Sequence, residues 1–158
     1  MNKTLIGHLD VSSSNLNELA YKIYSTIKGM IENFDNVDKS AILYMLKTYK
    51  QALEITLSDF EFVLNELPTE DKLYPYIDYL TELLQYAFDA VDELVYIVDK
   101  EFNERDDTFK NLIKETLSFL QDITYCVHNW IKELRDMLTN ENQTEEESTP
   151  DNSPTEED

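Results

Sequence analysis

Apolar residues recur along this chain in alternating steps of three and four, in four separate runs with polar punctuation between them. The clearest run is Ile77, Leu80, Leu84, Ala87, Val91, Leu94 and Val98. At 3.6 residues per turn these positions form one continuous stripe. The spacing predicts a helix over 75–102, with Pro75 at its first position, where a missing N–H costs nothing. Leu46, Tyr49, Leu53, Thr56, Phe60, Val63 and Leu67 place another helix over 37–66. Leu67-Pro68 ends it, because the residue before a proline is pushed out of the helical region. Phe109, Ile113, Leu117, Leu120, Ile123, Val127, Ile131, Leu134 and Leu138 define a helix over 108–138.

The first run is shorter. Leu16, Leu19, Ala20, Ile23, Ile27, Met30, Ile31 and Phe34 give a helix over 15–34, with Ser12–Asn15 read as an N-cap cluster. Gly29 inside it costs roughly 1 kcal/mol against Ala, unless a neighbour needs close approach there. Asp106, Asp107 and Thr108 are cap candidates for the fourth helix, but no Gly or Pro marks the junction. The third and fourth helices are therefore either two elements or one continuous rod.

These runs predict an all-α fold: an antiparallel up-down four-helix bundle with three long helices and one shorter first helix. The bundle spans 15–138, an N-terminal arm covers 1–14, and a disordered acidic C-terminal tail covers 139–158, because its composition buries too little apolar surface to order itself. The long helices span roughly 42 to 46 Å and the first roughly 30 Å. That difference leaves about 12 to 15 Å of groove to be covered by the arm, by a second copy in a homodimer, or by a foreign partner.

Charge changes the picture more than size does. The chain of 158 residues has a formal net charge of −20, which argues against direct contact with nucleic acid or an anionic membrane surface. The charge is unevenly placed. Residues 1–50 hold five acids and six bases, residues 51–99 hold twelve acids and one base, and residues 139–158 hold eight acids and none. Lone Cys126 and the absence of any 18-residue apolar stretch predict a soluble, intracellular protein of the cytoplasm.

Most chemistry is excluded by residue supply. Two histidines, His8 and His128, and one cysteine cannot build a zinc site, and no Glu-x-x-His pair supports a di-iron bundle. Gly7 and Gly29 alone cannot form a phosphate-cradling loop. The sequence therefore predicts no catalytic residue, no metal and no cofactor. A helical histidine in a four-helix bundle resembles a histidine phosphotransfer domain. Here, however, His128-Asn129-Trp130-Ile131-Lys132 carries Lys one place late and lacks Gly, and a histidine capping the edge of the core is the plainer reading.

What remains is a surface. On the side of the third helix opposite its stripe lie Asp78, Glu82, Asp89, Asp92, Glu93 and Asp99, interleaved with Tyr79, Tyr86 and Tyr96; Glu54 and Glu61 on the second helix add to it. Solvated acid runs are common, but tyrosine among them suits a protein interface. The expected function is a non-enzymatic acidic binding protein that engages a basic protein. In its sharper form it mimics nucleic acid, since carboxylates four residues apart sit about 6 Å apart, similar to phosphates along a strand. In composition and tail it resembles small acidic helical inhibitors carried by mobile elements. The alternatives are a self-associating scaffold and a phosphotransfer module using His128.

Overall fold

The computed structural model describes residues 2–33, 37–103 and 105–148. Four helices follow in order: α1 (Asn2–Asn33), α2 (Lys39–Glu66), α3 (Tyr74–Glu101) and α4 (Asp107–Ser148). Each packs antiparallel on its neighbours in sequence, and α4 closes the ring against α1. The side chains record the direction at every seam. His8 and Ser12 of α1 meet Asp59 late in α2 at 3.3 and 2.8 Å. Lys50 of α2 meets Asp92 late in α3 at 2.6 Å. Tyr76 of α3 stacks on Trp130 of α4, with ring centroids 5.9 Å apart. Lys114 early in α4 meets Glu32 at the end of α1 at 3.2 Å. This is the predicted four-helix bundle, and no strand occurs among the described residues. Nor is any helix there long and apolar enough to cross a membrane.

The core is what the periodicity implied. Every stripe residue named for the second, third and fourth helices is buried, and the interior is a single cluster. Thr56 and Thr81 occupy stripe or near-stripe positions on α2 and α3; Thr81 satisfies its hydroxyl by donating to the Ile77 carbonyl at 2.7 Å. Tyr49 is fully buried, and desolvation pushes its phenol well above the ordinary value, an effect the Thr124 hydroxyl opposes. Thr124 already donates to the Gln121 carbonyl at 2.9 Å, and the Tyr49 hydroxyl has no hydrogen bond of standard geometry.

Helix ends follow local chemistry. Asp38 caps α2, accepting from the Ser40 and Ala41 N–H groups at 2.9 and 3.3 Å. Leu67 before Pro68 is extended, with ψ of 134°, and stops α2. Pro75 lies in the first turn of α3. Asp106 turns the chain into α4, accepting from Thr108 N–H at 2.9 Å and Phe109 N–H at 3.4 Å. The continuous-rod alternative is thereby overturned: α3 and α4 are separate helices joined by a short turn, with Phe102 packed against Phe109.

Two boundaries differ from the sequence reading. The first helix begins at Asn2, not at 15, and has 32 residues, so it is as long as α2 and α3. Residues 2–14 are therefore no separate arm. Ile6, Leu9 and Ser13 extend the stripe of Leu16, Ala20, Ile23, Ile27 and Ile31 backwards, and all are buried. Ser13 hides the periodicity because it is polar at a core position; its hydroxyl donates to the Asp10 carbonyl at 3.3 Å. Packing along α4 thus overrides the capping preference of Ser12–Asn15. The groove expected beside a short first helix does not exist, because the same residues cover it. Gly29 has no close neighbour to explain it: a Cβ there would meet only the Asn33 side-chain nitrogen, at 4.0 Å. At the other terminus α4 continues to Ser148, ten residues beyond the predicted end, and Lys72 of the α2–α3 loop forms an ion pair with Glu141. Phe34 and residues 149–158 lie outside the described residues.

Candidate functional site

On a helix turning 100° per residue, the predicted face of α3 is too wide to be one surface. All eleven of its residues, from Glu54 and Glu61 to Asp99, are exposed, but the bundle divides them into three bands. Glu54, Glu61, Asp92 and Asp99 lie toward the α2/α3 seam, where lysines meet the two aspartates. Lys50 pairs with Asp92 and reaches over the Phe88 ring at 5.7 Å. Lys39 donates to the Asp99 carbonyl at 2.7 Å, and Lys100 lies 3.6 Å from the Asp99 carboxylate. Asp92 and Asp99 are thereby partly neutralised within the fold.

The second band is the outermost line: Asp78, Glu82, Asp89 and Tyr96. No basic side chain comes within 4.0 Å of these carboxylates among the described residues. Asp89 accepts a hydrogen bond from Gln85 at 3.0 Å, which holds it without neutralising it. Asp78 to Asp89 spans about 16 Å of helix, a short rigid row of uncompensated charge.

The third band, Tyr79, Tyr86 and Glu93, turns toward α4. The α3/α4 seam is the most thinly packed of the four. A groove of about 580 Å³ opens along it, lined on one side by Tyr86, Asp89, Ala90, Glu93 and Leu94 and on the other by Leu112, Glu115, Thr116 and Phe119. Its floor is apolar and its rims carry three carboxylates. Tyr86 and Phe119 meet edge to face across it, with centroids 6.0 Å apart. Tyr86, Phe119 and Leu112 are 57%, 50% and 43% exposed, so large apolar groups stand open to solvent.

The α4 half of this groove was not found in the sequence. Its signal was a second row beside the core stripe: Leu112, Thr116, Phe119, Ile123, Trp130 and Met137 also fall at helical spacing. Ile123 belongs to the core, whereas Leu112, Phe119, Trp130 and Met137 are exposed. An apolar zone this wide on one helix has more surface than the two helices packed against it, α1 and α3, bury.

His128 lies elsewhere, on the α1/α4 seam. Its Nδ1 is 3.3 Å from the Ser13 hydroxyl and 3.8 Å from Asp10, whose carboxylate also pairs with Arg135. Burial lowers the imidazole's affinity for a proton; Asp10 raises it in part and Lys132 lowers it further. With 18% of the side chain exposed, His128 anchors a polar contact between α1 and α4. Among the described residues no group of three His, Cys, Asp or Glu side chains is placed to hold a metal ion.

Fold and surface together define an all-α bundle protein with an acidic, aromatic-lined outer face on α3 and α4. Over 144 residues, 91% of each chain, it is 88% identical to the uncharacterized protein ORF158 of Acidianus bottle-shaped virus (isolate Italy/Pozzuoli), and the chain belongs to the family of that viral protein. A second protein of the same virus, ORF83, is 33% identical over 82 residues, which make up 52% of this chain and 99% of ORF83. No protein-family model matches the chain, and no solved structure does.

Proposed function

We propose that this is a non-enzymatic binding protein whose outer α3 face engages a basic protein surface. The observation that carries the reading is the division of the acids. Asp92 and Asp99 beside α2 are met by lysines, whereas among the described residues Asp78, Glu82 and Asp89 form a row with no basic side chain within 4.0 Å and exposed tyrosines alongside. Asp78 and Glu82 are like charges one turn apart, which costs a few tenths of a kcal/mol, and Asp89 follows two turns on. A face that the fold leaves uncompensated is suited to compensation by a partner.

In its sharper form the row stands in for a nucleic-acid strand and occupies the basic cleft of a nucleic-acid-binding protein. The rigid helical spacing supports this, and so does the viral origin of the relative, since such inhibitors are carried by mobile elements. The test is an affinity pull-down from host extract at about 50 mM and about 500 mM salt, where screening shortens the reach of exposed charges from about 14 to about 4 Å. Wild-type protein is compared with the triple variant Asp78→Lys, Glu82→Lys, Asp89→Lys. A basic partner retained at low salt, released at high salt and lost in the variant supports the proposal. A partner indifferent to both salt and charge reversal, or no partner at all, overturns it.

A further inference from the structure

We infer that the α3/α4 groove seats a basic amphipathic α-helix of the partner, an inference that rests on the proposed engagement of a basic protein and adds where and how it docks. The groove and its rims offer two kinds of contact in one place. Its floor and walls present Tyr86, Leu112 and Phe119, each at least two-fifths exposed, around Ala90 and Leu94. Its rims present Asp89 and Glu93 on one side and Glu115 on the other. An apolar strip between two acidic rims is complementary to a helix with an apolar edge flanked by Lys or Arg.

The dimensions agree. From Tyr86 to Leu94 the groove runs about 12 Å along α3. Side chains at i, i+4 and i+7 of a guest helix span about 10.5 Å, which is the usual anchor set for a helix lying in a groove. A volume of about 580 Å³, open along one side, receives such a row of side chains. Charge decides against a second copy of this chain as the occupant. The protein carries −20 overall, and a symmetric pairing through this groove would bring Asp89, Glu93 and Glu115 against their own equivalents.

A defined probe tests this without knowledge of the natural partner. One synthetic peptide of about 15 residues carries leucines three and four apart with lysines elsewhere, and a second has the same composition scrambled to remove the apolar edge. Both are titrated against full-length protein, against Tyr86→Ala/Phe119→Ala, and against Asp78→Lys/Glu82→Lys. The inference expects the amphipathic peptide to bind at least about tenfold tighter than the scrambled one, and that advantage to vanish in the Tyr86/Phe119 variant. Both side chains are exposed, so their removal leaves the core intact, which circular dichroism verifies. Equal binding of the two peptides, lost on charge reversal, overturns the groove as the docking site while leaving the acidic-face reading standing. Binding of neither peptide overturns the inference, and so does concentration-dependent dimerisation abolished by Tyr86→Ala/Phe119→Ala.

Discussion

Gly7 offers the most discriminating single perturbation, because the sequence pattern and the structure place it in different conformations. In the structure it lies within α1, one residue after the fully buried Ile6, and a Cβ added there has nothing within 4 Å. Gly7→Ala therefore meets no steric cost. It removes the backbone freedom glycine has in the unfolded chain, a gain of about 0.4–1 kcal/mol. For a chain of this size that raises Tm by roughly 1–4 °C. Gly7→Pro works in the opposite direction. It deletes the hydrogen bond to the Lys3 carbonyl and clashes with it, which costs about 3 kcal/mol in a helix interior. The chain could escape part of this by fraying residues 2–6, but it would then expose Ile6, worth about 1.5–3 kcal/mol of burial, and give up the Asn2–Asp71 hydrogen bond. The two substitutions are thus expected to differ by roughly 2–4 kcal/mol in urea unfolding followed at the helical circular dichroism band, read as a change in midpoint at constant slope. Gly29→Ala is the internal control, since both readings place it within a helix. A flexible arm over residues 1–14 would make both Gly7 variants neutral while Gly29→Ala still stabilised. That result would refute the extended α1 and everything built on it.

Two further outcomes follow from single contacts. Burial holds His128 below the ordinary histidine value, so the unfolded chain takes up the proton first as pH falls. The stabilisation is complete above the unfolded value near 6.5 and declines as pH drops through it toward the lower folded value. Urea midpoints measured between about pH 7.5 and 5.5 should fall on acidification, and His128→Gln should flatten that fall; an unchanged slope in the variant would remove His128 as its source. Asp106→Ala leaves the Thr108 and Phe109 N–H groups without their cap and should cost about 1 kcal/mol. An unchanged unfolding midpoint would mean that water satisfies those groups equally well.

The sequence alone determined the helices, their core faces and the imbalance of charge. Those features repeat with a helix's own period, and each is settled within a few turns of chain. Ile77 to Val98 could be placed in the core without knowing what they touch, because an apolar stripe has to be buried against something. The start of α1 was not legible, because Ser13 breaks the apolar period and Ser12–Asn15 look like a cap. Only contact with α4, where Ser13 meets His128, shows that position to be interior. Division of the acidic face was likewise decided in three dimensions. Asp92 and Asp89 look alike along the chain, yet Lys50, forty-two residues earlier, pairs with Asp92, and no lysine among the described residues comes within 4.0 Å of the Asp89 carboxylate. The groove itself belongs to no single helix. It exists because α3 and α4 pack less closely than the other pairs, and the spacing between two helices is set by all four of them packing together rather than by the period of either one.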